Sequence, residues 1–302
     1  MPAFCVMNAT SYVGRFAPSP TGPLHFGSLV AAVGSYADAL AQNGRWLVRM
    51  EDVDEGRRRP GADTAILRTL ERHGFEWHGE VIYQSRRKAA YAEILADLEG
   101  RGLVYPCGCT RRQIQAEGRP GPEGVVYAGT CRNGVPPGRP ARALRLKVPD
   151  SEVCFDDLVY GRVCQNLARA VGDFVVRRAD GFTAYQLAVV VDDAWQGITR
   201  VVRGADLLLS TPRQIHLQAL LGAPRPEYLH LPLVVDAQGR KLSKRDGDQP
   251  LAERNPLTGL LAAWRFLDQP EPPEPPATPA EFWAWAARHW SPARIRPRGR
   301  PA

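Results

Sequence analysis

The sequence lacks the features of a membrane-bound or exported protein. Its 302 residues contain no apolar run long enough to cross a bilayer. Residues 1–13 lack the basic region and apolar stretch that are typical of a secretory signal. Lysine is scarce, and the net charge of +7 comes mostly from arginine. We expect a cytoplasmic protein whose charge suits a polyanionic partner such as nucleic acid, although a basic enzyme without such a partner fits the charge as well.

Cysteine is sparse, with six residues, and three of them lie close together in the sequence. Disulfide bonds are rare in the cytoplasm, so the cluster of Cys107, Cys109 and Cys131 favours a metal site. A structural zinc site takes four protein ligands, and histidine is absent from residues 79–215. Tyr127, four residues before Cys131, is an unusual but chemically competent fourth ligand through its phenolate. Three reduced, metal-free cysteines are the alternative.

The hydrophobic pattern predicts an α/β fold with an interruption. Strand-like and helix-like segments alternate over residues 12–99 and again over 173–235, which is typical of a doubly wound parallel sheet. Gly and Pro are dense over 118–140, and β-like runs at 143–148 and 153–159 follow. We therefore predict an insertion with its own small fold. The two remaining cysteines, Cys154 and Cys164, are interpreted as buried apolar residues.

Two distant segments contain residues suited to nucleotide chemistry. Residues 18–28 form a Gly/Pro-rich turn with His25 that leads into a predicted helix, whose first N–H groups favour an anion. Residues 241–245, Lys-Leu-Ser-Lys-Arg, can supply positive charge to a phosphoryl or adenylyl transfer. Taken singly, His25 is more simply a turn histidine and the lysines a solvated loop. Together they favour a site for a nucleotide phosphate, with His25, Lys241 and Lys244 as the candidate catalytic residues.

Charged residues at the predicted strand ends fit an acidic amino acid as the second substrate. Such a substrate needs an acidic group for its ammonium and cationic groups for its two carboxylates. Arginine suits the second task because its planar guanidinium binds a carboxylate through two hydrogen bonds. Arg15 and Arg203 are the candidates for the carboxylates and Glu51 for the ammonium. Considered alone, Glu51 and Arg203 are more simply partners in structural ion pairs.

These segments resemble the glutamate subgroup of the class I aminoacyl-tRNA synthetases. Residues 18–28 resemble the HIGH element and 241–245 the KMSKS element, with departures at Ser28 and Arg245. The resemblance extends over roughly residues 12–267 and implies ATP, with Mg²⁺, as a substrate. It implies that L-glutamate is held by Arg15, Phe16, Ala17, Pro18, Ser19, Glu51, Tyr185 and Arg203. It implies that ATP is held by Pro18, His25, Gly27, Lys241, Leu242, Ser243 and Lys244.

The resemblance also implies the fold class and the organisation of the chain. We expect a class I synthetase Rossmann-type doubly wound parallel sheet, split by an α+β insertion that carries a small zinc motif. The predicted parts are 1–105, the first half of the catalytic domain; 106–172, the acceptor-binding-like insertion; 173–254, the second half with the 241–245 loop; and 255–302, a short helical part with a proline-rich linker and a basic tail. The tail is expected to be disordered. Arg111, Arg112 and Arg132 of the insertion are candidates for contacts with tRNA phosphates.

The zinc motif and the short C-terminal part are similar to those of the glutamyl-queuosine enzymes within this subgroup. In these enzymes a tyrosine is a zinc ligand, which implies one structural Zn²⁺ held by Cys107, Cys109, Tyr127 and Cys131. About 35 residues follow residue 267, too few for an anticodon-binding domain. The resemblance implies a monomeric, membrane-free enzyme that activates glutamate without tRNA and transfers it to queuosine in the anticodon loop of tRNA(Asp).

Three alternatives remain open at this point. A truncated synthetase would charge the 3′ end of tRNA(Glu) instead. A non-catalytic paralogue would bind tRNA only, although the intact candidate residues argue against it. A bare nucleotidyltransferase with a HIGH-type fold would need neither the glutamate-specific arginines nor the zinc motif.

Overall fold

A computed structural model describes the protein at residues 11–235, 251 and 255–298. The strands are β1 (Val13–Phe16), β2 (Arg45–Met50), β3 (Ile82–Tyr83), β4 (Val104–Cys107), β5 (Arg119–Gly121), β6 (Gly124–Val126), β7 (Ala143–Leu146), β8 (Glu152–Asp157), β9 (Gly161–Asn166), β10 (Phe174–Arg177), β11 (Arg200–Gly204) and β12 (Glu227–Leu231). The helices are α1 (Phe26–Ala41), α2 (Ala62–Arg72), α3 (Lys88–Gly100), α4 (Arg111–Glu117), α5 (Leu167–Ala170), α6 (Tyr185–Trp195), α7 (Thr211–Leu221), α8 (Pro256–Phe266) and α9 (Pro279–His289). Within these ranges, no helix has both the length and the apolar character that a bilayer crossing requires.

A parallel sheet forms the centre of the fold and confirms the predicted class. Strands β1, β2 and β3 pair in parallel, in the order β1-β2-β3. Strands β11 and β12 also pair in parallel, and β1 adjoins β11 through the Thr199 N–H, which donates to the Val13 carbonyl at 2.9 Å. The carboxyl ends of β1, β2 and β11 therefore meet at one edge of the sheet, which is where ligands bind in this class of fold.

Two strands pair differently from the expectation. The segment 173–178 was expected to resume the parallel sheet, but β10 pairs antiparallel with β7, which in turn pairs with β4. Conversely, β8 was assigned to the insertion's own small fold, but its last residue, Asp157, lies beside Tyr228 of β12 in the central sheet. Hydrophobic periodicity shows that a strand is buried but does not select its partner, so both pairings were missed.

The sequence had indicated that Cys154 and Cys164 are buried apolar residues, but the structure contradicts this. They form a disulfide bond, and Cys164 is exposed. The antiparallel pairing of β8 with β9 places the two residues directly opposite each other, with Cα atoms 4.1 Å apart. The pairing could not be predicted because it depends on the register of a hairpin in which only β8 was recognised.

The C-terminal helices pack against α1. The Trp290 indole donates to Asp38 of α1 at 2.9 Å, and the Trp283 indole donates to the His73 carbonyl at 2.9 Å. Both rings are buried in the same core as α1. The described part of the basic tail is held to the body at Arg298, which pairs with Asp268 at 2.7 Å, although the tail was expected to be disordered. This packing supports α1, which begins just after the turn that contains His25.

Candidate active site

A cavity of about 310 Å³ lies at the carboxyl edge of the central sheet. It is formed by the end of β1 and the following turn, the start of α1, and the residues after β2 and β11. Its lining includes each predicted substrate residue within the described ranges: Arg15, Phe16, Ala17, Pro18, Ser19, His25, Gly27, Glu51, Tyr185 and Arg203. The predicted residues Lys241, Leu242, Ser243 and Lys244 lie outside the described ranges.

His25 is the N-cap of α1. Its Nδ1 accepts a hydrogen bond from the Ser28 N–H at 3.3 Å, so a neutral ring carries its proton on Nε2. A side chain at position 27 would meet the His25 ring, because a Cβ there would lie 3.2 Å from ring atoms. Gly27 therefore leaves room for the histidine at the helix N-terminus, where the helix dipole favours an anion.

Arg15 lies at the inner wall of the cavity and is held by an aspartate. Its Nε and Nη2 donate to the two oxygens of Asp193 on α6, at 3.2 and 3.4 Å. Asp193 also pairs with Arg49 of β2 at 2.8 Å. Burial alone would raise the pKa of Asp193, but Arg15 and Arg49 lower it below its ordinary value. The charge of Arg15 is therefore largely balanced within the protein.

Glu51 is a buried carboxylate with few partners. Only 11% of its side chain is exposed, and it pairs with Arg49 at 3.4 Å. Burial raises the pKa of Glu51, and the nearby Arg49 and Arg15 offset this only in part. Burial and the charge of Glu51 also raise the pKa of Tyr185 to about 12, so its phenol stays protonated. Glu51 thus offers a negative charge beside a neutral hydroxyl.

Arg203 lines the same cavity, but its partners carry no charge. Its Nε donates to His230 Nε2 at 3.1 Å, and its Nη2 donates to Thr211 Oγ1 at 2.9 Å. Its Nη1 is buried and has no hydrogen-bond partner among the residues that the structure describes. An unpaired buried donor is costly, so a ligand atom that accepts from Arg203 would stabilise the site.

A second cluster of side chains lies in the insertion and fits a zinc ion. The Tyr127 hydroxyl lies 3.5 Å from Cys107 Sγ and 3.6 Å from Cys109 Sγ, and Cys109 Sγ lies 3.5 Å from Cys131 Sγ. In a tetrahedral zinc site the S–S and S–O edges measure about 3.8 and 3.5 Å, from the usual bond lengths. These three separations are close to the edges of such a tetrahedron, so the four residues predicted from the sequence fit a zinc site.

The surroundings of this cluster favour a thiolate at Cys107, whereas burial and the neighbouring thiols raise the pKa of Cys109. Arg145 donates from Nε to Cys107 Sγ at 3.3 Å, and its guanidinium carbon lies 3.7 Å from the centre of the Tyr127 ring. Although burial opposes it, hydrogen bonds from Tyr127, the backbone of Cys109 and Arg145 lower the pKa of Cys107 to about 7. Burial and the two nearby thiols raise the pKa of Tyr127, so metal binding there would release a proton.

Sequence reasoning missed the residues that support the cavity from behind. Asp193, His230, Asp157 and Thr211 were given no role in the site from the sequence. Their contacts join segments that are distant in the sequence, so no local spacing could reveal them. Arg132, one of the candidates for tRNA contact, donates to both oxygens of Asp173 at 2.8 and 3.1 Å, while 42% of its side chain stays exposed.

Comparisons with known proteins agree with this geometry. The family model for the catalytic domain of class I tRNA synthetases (E and Q) matches residues 12–255. A protein from Dechloromonas aromatica named glutamyl-Q tRNA(Asp) synthetase is 57% identical over 93% of this chain and 94% of its own length. One of the same name from Ectopseudomonas mendocina is 55% identical over 96% of this chain and 97% of its own length.

The solved structures show the same fold. The glutamate-tRNA synthetase of Elizabethkingia anophelis superposes with a TM-score of 0.79 at 24% identity, over 95% of this chain and 67% of that protein. At this identity the likeness concerns the fold alone. From the family match and the two curated relatives, the chain belongs to the class I tRNA synthetases of the glutamate and glutamine type, in the group of the glutamyl-Q tRNA(Asp) synthetases.

Proposed function

We propose that this protein activates L-glutamate with ATP, without tRNA, and transfers it to the queuosine base of tRNA(Asp). Relatives that are 54–57% identical over nearly the whole chain are named for this activity. The observation that carries the proposal is that Arg203 and Glu51 line one cavity beside the His25 turn. That arrangement offers a cation, a carboxylate and an anion-binding helix end to a single amino acid and nucleotide.

The two arginines differ in how much charge they offer to glutamate. Arg15 already shares two hydrogen bonds with Asp193, whereas Arg203 bonds only to a histidine nitrogen and a hydroxyl. We assign Arg203 as the main partner of a substrate carboxylate and Arg15 as a secondary one. Glu51 takes the ammonium, because its partner Arg49 is 3.4 Å away and leaves acceptor capacity unused.

The ATP end of the site is assigned to the turn and the start of α1. His25 Nε2 is the ring's donor nitrogen and is assigned to the triphosphate, while Pro18 and Gly27 shape the wall. Lys241, Leu242, Ser243 and Lys244 are assigned to ATP from the sequence resemblance alone. Mg²⁺ accompanies ATP as part of the substrate.

The proposed reaction has two steps. A carboxylate oxygen of glutamate attacks the α-phosphorus of ATP, and pyrophosphate leaves to give glutamyl-adenylate. A queuosine hydroxyl then attacks the activated carbonyl and loses its proton, and AMP leaves. Positioned donors that face the charge developing on the phosphates are worth roughly 3–4 kcal/mol each in other enzymes. No covalent enzyme intermediate is required.

The insertion is assigned a structural zinc ion and a share of the tRNA surface. Cys107, Cys109, Tyr127 and Cys131 would hold one Zn²⁺ and so fix the loop between β4 and β7, because a metal ties together segments that have little apolar core of their own. The anticodon loop is assigned to this side of the cavity. Arg111 and Arg112 are exposed at the start of α4, and together with the exposed Arg132 they are the candidates for phosphate contacts.

The test is the transfer of radiolabelled glutamate, with ATP, to tRNA from queuosine-replete and queuosine-deficient cells. We expect label on the first pool only, and periodate treatment of the tRNA 3′ end should not reduce it. Equal label on both pools, abolished by periodate, would show 3′-end charging instead. Absence of label together with absence of glutamate-dependent pyrophosphate exchange would identify a non-catalytic paralogue.

A further inference from the structure

A buried pair, His230 and Asp157, lies behind Arg203 and sets its orientation. Arg203 and His230 are register partners on the neighbouring strands β11 and β12. Asp157 ends β8, the hairpin strand that joins the central sheet beside β12. The His230 and Asp157 side chains are fully buried, so neither exchanges its partners with solvent. The substrate arginine is therefore held from behind by residues that do not line the cavity.

The hydrogen bonds fix the protonation of the histidine. An arginine Nε can only donate, so His230 Nε2 accepts from Arg203 at 3.1 Å and carries no proton. His230 Nδ1 then carries the proton and donates to Asp157 Oδ2 at 2.6 Å. Asp157 is held in turn by the backbone N–H groups of Val159 and Tyr160, which donate to Oδ1 at 3.0 and 2.9 Å.

The same bonds determine which part of Arg203 remains for a ligand. Nε is bonded to His230 and Nη2 to Thr211, which leaves Nη1 without a partner among the described residues. If Nε2 of His230 carried a proton, it would face the Nε–H of Arg203, and two donors would oppose each other. The guanidinium would then rotate or shift, and its free edge would move with it.

We propose that His230 and Asp157 are positioning residues for glutamate recognition and act through Arg203. The inference rests on the proposed function, because it concerns the same substrate. It assigns to the β8–β9 hairpin of the insertion a part in amino-acid selection, in addition to any contact with tRNA. Neither residue touches substrate, so neither is catalytic.

The variants are chosen to separate positioning from folding. In His230→Gln, the amide oxygen can replace Nε2 as the acceptor for Arg203, so function should be largely kept. In Asp157→Asn, the new amide N–H can donate to His230 Nδ1. The histidine proton then moves to Nε2, where it faces Arg203. The same tautomer change explains the loss of activity in the Asp→Asn variant of a serine-protease triad. His216→Gln is the matched control, because it makes the same change at a histidine that bonds to the Lys147 carbonyl and not to Arg203.

The assay is glutamate-dependent exchange of pyrophosphate into ATP, with the KM measured for each substrate. For Asp157→Asn we expect the glutamate KM to rise about 10- to 100-fold, as for loss of one well-placed charged hydrogen bond, with the ATP KM within about twofold of wild type. His230→Gln should stay within about fivefold for glutamate, and His216→Gln should match wild type.

Each outcome decides the matter. An unchanged glutamate KM in a folded Asp157→Asn variant overturns the inference but leaves the proposed function intact. If the glutamate and ATP KM values of Asp157→Asn rise equally, the residue has a merely structural role and the inference is overturned. The inference is also overturned if His230→Gln and Asp157→Asn lose the same amount of activity. No exchange by the wild-type protein with glutamate would refute the proposed function, and the inference with it.

Discussion

Replacing Glu51 by glutamine distinguishes the effect of its charge on the stability of the fold from its effect on glutamate binding. The side chain is buried, its pairing with Arg49 is long at 3.4 Å, and Arg49 keeps Asp193 at 2.8 Å when Glu51 is neutral. Because burial raises the pKa of Glu51, the charged form costs folding free energy at neutral pH. Glu51→Gln should therefore leave the melting temperature unchanged or raise it.

Binding should respond in the opposite direction. If Glu51 holds the substrate ammonium, the substitution removes the charge from a hydrogen bond worth about 2 kcal/mol, which raises the glutamate KM about 30-fold. The ATP KM should change little, because the nucleotide lies on the other side of the turn. Pyrophosphate exchange and thermal unfolding, measured on the same preparation, give both quantities.

Glu55→Gln is the matched control, since it makes the same change four residues later. Glu55 is exposed and pairs with the exposed Lys88, and such surface pairs contribute at most about 1 kcal/mol. Its KM values and melting temperature should match wild type. An unchanged glutamate KM in Glu51→Gln would refute the ammonium assignment. A fall in melting temperature with increases in both KM values would instead show that Glu51 is a structural ion-pair partner.

Three further predictions concern the metal, the pH dependence and the C-terminal helices. Wild-type protein should retain one zinc after dialysis against EDTA; Tyr127→Phe should bind zinc at least about tenfold more weakly while Tyr105→Phe keeps it, and equal retention in both would exclude Tyr127 as a ligand. Burial lowers the pKa of His230 to about 4, so the unfolded chain binds the extra proton between pH 4 and 6.5. The free energy of unfolding should therefore rise with pH across that window, by up to about 3 kcal/mol more in wild type than in His230→Gln; identical pH profiles from chemical unfolding would contradict this. Trp283→Phe leaves a buried carbonyl unpaired and should cost about 1–3 kcal/mol in chemical unfolding, whereas the exposed Trp195→Phe should cost less than about 0.5 kcal/mol; equal losses would refute the role of the indole hydrogen bond.

Much of the candidate site was predictable because its residues lie at strand ends. Arg15 and Arg203 are the penultimate residues of β1 and β11, and Glu51 follows β2 directly. In a parallel sheet such positions converge on one edge, whatever their distance in the sequence. The clustering of Cys107, Cys109, Tyr127 and Cys131 was predictable because these residues lie within 25 positions of one another.

The partners of these residues were not predictable. Asp193 reaches Arg15 across 178 positions, and His230 reaches Asp157 across 73. The disulfide between Cys154 and Cys164 likewise depends on the register of two strands.

The sequence by itself determined the alternating α/β pattern, the residues available for chemistry and the edge of the sheet where they gather. Only the tertiary structure decided which charges are balanced, because ion pairing depends on distances between elements rather than on spacing along the chain. That is why Arg15 and Arg203 look equivalent in the sequence. In the folded protein, Arg15 is paired with an aspartate, while Arg203 is bonded to a neutral histidine and hydroxyl and keeps a donor for a ligand.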